Sequence, residues 1–152
     1  MKKFFLIALL TMGCYAVSQA QNMGSSYTTS IGAKGYFGDG SIGGLSVKHF
    51  LTNNTALEGA MLFKKKVFVV EGLYEYHGDI TGAKGLKWYV GPGAQLGSAY
   101  NDFVFAAKGT LGLDYKFSGA PINVAFDVNP TFTITPETSF DFYAGIAFRF
   151  AL

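Results

Sequence analysis

The sequence predicts an all-β fold. Eight antiparallel strands close up-and-down into a transmembrane β-barrel, after a cleaved N-terminal signal peptide. Three observations predict it. Only 14% of the 152 residues are charged, while 49% are hydrophobic, with 15 Phe and 9 Tyr; ordinary soluble domains carry about 25% charged residues. Long segments alternate apolar and polar residues by twos, the period of a strand. Short turn-rich stretches separate these segments, so neighbours run antiparallel. No run beyond residue 20 approaches the roughly 20 apolar residues of a membrane helix.

The first 20 residues stand apart from this pattern. "MKKFFLIALLTMGCYAVSQAQ" has a basic start (Lys2, Lys3), an apolar stretch from Phe4 to Met12, and small residues at Ser18 and Ala20. That order is a secretory signal peptide, assigned to 1–20, which leaves 21–152 as one barrel domain. "LTMGC" faintly resembles a lipoprotein signal, in which Cys14 would be lipidated, but Thr11 stands where such signals have Leu. Otherwise Cys14 leaves with the signal peptide. The mature chain then has no cysteine, which excludes disulfides, thiolate chemistry and Cys-ligated metals. Removing Lys2 and Lys3 from twelve basic residues leaves ten, against ten acidic. A neutral mature chain gives no reason to expect a nucleic-acid partner.

The strands are expected at 27–37, 42–51, 55–64, 67–77, 85–96, 103–117, 121–132 and 139–150. The breaks carry turn chemistry: "GDG" (38–40), "TNN" (52–54), Lys64–Lys66, "GDITGA" (78–83), "GSAYND" (97–102), "SGA" (118–120) and "TITPET" (133–138). No segment shows the 3.6-residue period of a helix. The last strand shows the alternation best. Phe140, Phe142, Ala144, Ile146, Phe148 and Phe150 share one face; Ser139, Asp141, Tyr143, Gly145, Ala147 and Arg149 share the other. In 121–132, Ile122, Val124, Phe126 and Val128 oppose Asn123, Ala125, Asp127 and Asn129. In 85–96, Trp88, Val90, Pro92, Ala94 and Leu96 oppose Lys87, Tyr89, Gly91, Gly93 and Gln95. The segment 67–77 is less regular, because Val67, Val69 and Leu73 fall in with Glu71, Glu75 and His77.

Alternation alone does not say which face is inside. Three arguments put the apolar face outward. An eight-stranded barrel has an interior just wide enough for side chains to fill, and about 40 large apolar residues would overfill it. The polar face is rich in small residues, among them Gly32, Gly44, Ser46, Ala60, Gly91, Gly93, Ala106, Gly112, Gly145 and Ala147. A crowded lumen needs these and a solvated face does not. Large aromatics lie near strand ends: Tyr27, Phe37, Phe63, Phe68, Tyr76, Phe103, Phe117, Phe132, Phe140 and Phe150. This is the pattern of membrane-interface girdles.

On these residues the chain resembles the small outer-membrane β-barrels of the OmpA-like and OmpX-like type. The resemblance covers 21–152. It includes the "HFLTNNTALEGA" turn (49–60), the "LDYKFSGAPINVAFDVNP" hairpin (113–130) and the final strand. It implies a Gram-negative outer-membrane location, a monomer, contact with outer-membrane lipid, and insertion by the barrel insertion machinery. The insertion signal would be Phe142, Ile146, Phe148 and Phe150. The departure from the family pattern is Ala151-Leu152, which follows the last aromatic.

The inferred inner face carries six bases (Lys34, Lys48, Lys87, Lys108, Lys116, Arg149) and six acids (Glu58, Glu71, Glu75, Asp114, Asp127, Asp141). Buried charges must be paired, so these twelve are expected to form a lumen charge network that plugs the barrel. A narrow path for ions or small solutes is the alternative, since charges inside membrane proteins mark pathways. A soluble periplasmic barrel carrying an apolar ligand is a second alternative, with the faces reversed. Lys64, Lys65 and Lys66 form the one like-charge run and are candidates for contact with surface-lipid phosphates; a solvated turn is the plainer reading. Catalysis is not expected. The only two histidines, His49 and His77, fall near periplasmic strand ends and read as interfacial residues rather than general bases. They are too far apart in sequence to suggest a metal site. "GPGAQLG" (91–97) lacks the Lys-Ser/Thr ending of a phosphate loop. No cofactor is implied.

Overall fold

The computed structural model describes residues 26–152. The signal peptide at 1–20 and Cys14 lie outside the described residues. Eight strands follow in order: β1 (Thr29–Gly38), β2 (Gly40–Phe50), β3 (Thr55–Lys64), β4 (Val67–Asp79), β5 (Leu86–Ala99), β6 (Asp102–Lys116), β7 (Ile122–Thr135) and β8 (Ser139–Ala151). Each pairs with the next, and β8 closes on β1. Closure satisfies the edge groups that an open sheet would leave exposed.

Register fixes which faces align. In β1–β2, Lys34 lies opposite Gly44 and Ser30 opposite Lys48. In the closing pair, Gly32 lies opposite Arg149 and Tyr36 opposite Gly145. The polar series of every strand therefore converges on one surface, and that surface is the inside. Lys34, Lys48, Glu58, Glu71, Glu75 and Arg149 are all buried, whereas Phe37, Phe63, Phe103, Phe126, Phe142 and Phe148 are exposed on the outside. The faces are thus those of an inverted barrel. A soluble carrier, with its apolar series inward, has the opposite arrangement.

The inner glycines explain how the charges fit. At Gly145 a Cβ would collide with the Asp127 carboxylate and sit 2.9 Å from the Tyr36 ring. At Gly112 it would lie 2.7 Å from both the Asp127 Cβ and the Tyr89 ring. These walls are bare because Asp127, Tyr36 and Tyr89, at the paired positions of the neighbouring strands, lean over the glycines and occupy the space.

Several strands run further into the expected turns than the turn chemistry suggested; β2, for one, starts at Gly40 within "GDG". β5 runs on to Ala99, and only Tyr100 and Asn101 turn the chain, both at positive φ (53° and 75°). That two-residue turn matches the twist of a hairpin. β7 runs on to Thr135, taking in half of "TITPET". Thr133, Ile134 and Thr135 are β-branched and suit a strand despite the proline that follows. The pairing shifts there: Ala106 faces Thr133 and Phe105 faces Thr135, so Ile134 is the extra residue of a bulge. β4 runs two residues further, to Asp79. At the C-terminus, Ala151 points inward and Leu152 is exposed, so the two residues beyond Phe150 continue the alternation.

One aromatic departs from the expected girdle. Tyr27 precedes β1 and turns toward the barrel mouth, where its hydroxyl donates to Asp114 Oδ2 at 3.0 Å. Burial and the adjacent Asp114 carboxylate raise its phenol well above the ordinary value.

Candidate functional site in the barrel lumen

The candidate site is the lumen itself. Its centre is Glu58, from the middle of β3. Glu58 Oε1 receives Lys34 Nζ at 2.6 Å and an Arg149 terminal nitrogen at 2.7 Å, and Glu58 Oε2 lies 3.3 Å from Lys48 Nζ. Four strands, β1, β2, β3 and β8, thus meet on one carboxylate. Ser46 adds a hydroxyl to the same oxygen at 3.3 Å and accepts the Arg149 Nε–H at 2.8 Å.

Two further clusters extend from this centre. Toward the chain termini, Lys48 reaches Glu75 at 2.8 Å and Asp114 at 3.2 Å. Its ammonium also lies 4.3 Å above the Tyr89 ring, a contact that strengthens when water is excluded. Asn123 donates to Asp114 at 2.7 Å. Toward the β1–β2 turn, Lys34 bridges to Asp127 at 3.6 Å and to Glu71 at 3.7 Å. Glu71 is fully committed: Lys108 at 2.7 Å, Gln95 at 2.6 Å and the Tyr36 hydroxyl at 2.5 Å. Asp127 accepts from Tyr89 at 2.5 Å and from Asn129. In a low-dielectric interior each carboxylate needs partners of this kind to remain ionised.

The structure brings together nine of the twelve charges expected there: Lys34, Lys48, Lys108, Arg149, Glu58, Glu71, Glu75, Asp114 and Asp127. The other three share the inward face but not the level. Lys87 sits at the terminal rim, paired with the largely exposed Asp79 at 2.8 Å. Lys116 donates to the carbonyls of Phe117 and Ala120 at the β6–β7 turn, at 2.7 and 2.8 Å. Asp141 lies at the opposite rim, where Ser139 donates to it at 2.9 Å. Face parity was right for all three. The height along the barrel axis was not readable from it.

His77 corrects the interfacial reading. It is fully buried in the lumen, 2.8 Å from Glu75 and stacked on Tyr89 with the rings 5.0 Å apart. His49 does lie on the outward face, with its Nδ1 2.8 Å from the Thr29 hydroxyl. The network also includes residues not singled out as site residues: Tyr36, Tyr89, Gln95, Asn123 and Asn129. Their inward parity was the available signal. Nothing in the composition marked them as partners of charges.

Lys64, Lys65 and Lys66 are exposed at the β3–β4 turn, with Lys66 at a φ of 61°. The side chains of Phe142, Ile146, Phe148 and Phe150 form an outward row on β8, 47–67% exposed.

No protein-family model and no curated protein matches the chain. Among solved structures it is similar to the N-terminal β-barrel domain of Pseudomonas aeruginosa OprF. The TM-score is 0.63 at 20% identity, covering 84% of this chain and 100% of that one. At this identity the likeness is one of fold. The chain therefore shares the closed eight-stranded fold of the OprF barrel domain, the fold that its resemblance to OmpA-like barrels implied.

Proposed function

We propose that this chain is an integral outer-membrane barrel whose lumen is closed by its own charges. Its role is structural, in maintaining the envelope, and it performs no chemistry. The observation that carries the reading is the Glu58 network: every charged side chain that meets Glu58 is inaccessible to solvent. The outward apolar surface supports the membrane setting. A closed barrel satisfies its backbone internally, which lipid requires.

In this setting the termini face the periplasm. Lys64, Lys65 and Lys66 then reach the outer surface and meet the phosphates of surface lipid. The outward row of Phe142, Ile146, Phe148 and Phe150 serves the insertion machinery, and the barrel acts as a monomer.

Two measurements test the reading. Residues 21–152 should fold only with detergent or lipid, and should migrate differently on an SDS gel before and after boiling. A folded monomer in plain buffer would overturn the membrane reading. In planar bilayers the folded barrel should show no large steady conductance. Porin-sized steps would overturn the plug and favour the pore alternative.

A further inference from the structure

The lumen is not polar throughout. Near the β1–β2 and β3–β4 turns its wall changes character. Ile42, Leu62, Val67, Val69 and Val104 point inward there, from β2, β3, β4 and β6. Leu62 and Val69 are buried against Tyr36 and Ala60, with Ile42 and Val67 packed on them. Together they line a cavity of about 310 Å3 that opens at this end of the barrel. Its floor is polar: Lys108 and Gln95, both bound to the Glu71 carboxylate. The four turns at this end are no longer than three residues, so no loop covers the opening.

We propose that this vestibule is a binding site for a small uncharged amphiphile. The ligand would be an aromatic or short aliphatic body carrying one hydroxyl or carbonyl group. Three arguments fix that class. The wall from β2, β3, β4 and β6 is apolar and faces Thr131, Thr133 and Tyr143 of β7 and β8; water held loosely against the apolar side is displaced with a gain by an apolar solute. The floor selects no ion, because Lys108 is paired with Glu71 at 2.7 Å, and the two charged residues that line the cavity mouth, Asp39 and Lys64, are of opposite sign. The ammonium of Lys108 has three N–H donors, and Glu71 takes one of them. A ligand oxygen at the inner end would meet Lys108 or Gln95. The size follows from volume. A cavity of about 150 Å3 holds benzene, so this one suits a body about twice as large, such as a fused bicyclic ring. It falls at the small end of the ligand-pocket range. A cap that only sealed the plug would fill this space with side chains.

The site rests on the fold alone. The membrane reading above decides only that the vestibule faces the outside of the cell. The test uses the refolded barrel in lipid nanodiscs, with labelled methyl groups and 1-naphthol as the probe. We expect saturable shifts at the Ile42, Leu62, Val67, Val69 and Val104 methyls. Lipid-facing methyls such as Val70 and Leu96 should move only linearly, as the probe partitions into the bilayer. Val69→Trp should fill the cavity and weaken binding by at least about tenfold. Val104→Phe narrows the same space more gently and serves if the tryptophan variant does not fold. Linear shifts shared by the inner and outer methyls would overturn the proposal, as would undiminished saturable binding in a folded filled variant. Conductance plays no part in this test, so a failed plug and a failed vestibule are told apart.

Discussion

The two mouths of the lumen are lined differently: charged and polar residues at the terminal end, branched apolar residues on much of the other. Around the centre, Glu58, Glu75, Asp114, Lys48 and Arg149 fill the barrel with mutually paired charge, and beyond them a cavity of about 480 Å3 opens at the terminal mouth, lined by Asp79, Lys87, Asp114 and Lys116 among others. Toward the β1–β2 turn, branched apolar residues of β2, β3, β4 and β6 line one side of an open cavity of about 310 Å3, and Thr131, Thr133 and Tyr143 line the other. The same strands cross both zones. β4 contributes Val67 and Val69 to one, and Glu75 and His77 to the other. The difference teaches that an inward position does not by itself call for a polar residue. Polar residues belong where the lumen is packed shut and each charge finds a partner. Where the space stays open, the wall is polar at the terminal mouth and largely apolar at the other.

The largest expected effect comes from removing the centre of the packed zone. Glu58→Ala leaves Lys34, Lys48 and Arg149 facing one another without the shared carboxylate. Breaking a buried ion pair from one side costs about 3–5 kcal/mol. Urea unfolding in lipid vesicles should show that loss. A cost below about 1 kcal/mol would mean the charges are solvated and the plug is wet. Replacing several members at once by apolar residues of similar volume should cost much less than this single deletion.

An intermediate effect separates the inner wall from the outer. Gly145→Val places methyl groups against Asp127 and the Tyr36 ring, whose nearest carbon is 2.9 Å from the added Cβ. Overpacking of this kind costs about 1–3 kcal/mol. Gly72→Val is the matched control, because a Cβ there meets nothing within 4 Å. As a substitution on an open surface, it should change stability by no more than about 0.5 kcal/mol. Equal costs at the two positions would show that the lumen adapts freely, and would weaken the account of its small residues.

Much of this was legible in the sequence, and the part that was not has a definite physical cause. Alternation assigns each residue to a face, and the overfilled interior, the small residues of the polar face and the aromatics at strand ends then put Lys34, Lys48, Glu58 and Arg149 inside. Alternation says nothing of height, which depends on how far each strand is staggered against the next around the closed barrel. Lys87 and Asp141 share the inward parity of Lys48 but end up at opposite rims. Tyrosine was ambiguous for another reason. Tyr74 and Tyr76 lie on the outside, while Tyr36 and Tyr89 are buried. A phenol suits a lipid interface or a buried carboxylate equally well. The irregular strand carried a signal of its own. Val67 and Val69 interrupted the polar face, and they mark the apolar vestibule.

The smallest expected effect tests whether depth, rather than charge, sets the strength of these pairs. Lys87 and Asp79 are 2.8 Å apart, as close as Lys48 and Glu75, yet the Asp79 side chain is 79% exposed. Exposed pairs contribute about 0–1 kcal/mol, so Lys87→Ala should shift the urea midpoint only slightly. Salt gives the finer discrimination. The screening length falls from about 10 Å at 0.1 M to about 3 Å at 1 M. The small cost of Lys87→Ala should vanish at 1 M salt, while the cost of Glu58→Ala should persist because ions cannot enter the packed zone. If Lys87→Ala cost as much as Glu58→Ala and resisted salt, the plug would extend to the rim. The boundary between the packed and open parts of the lumen would then lie elsewhere.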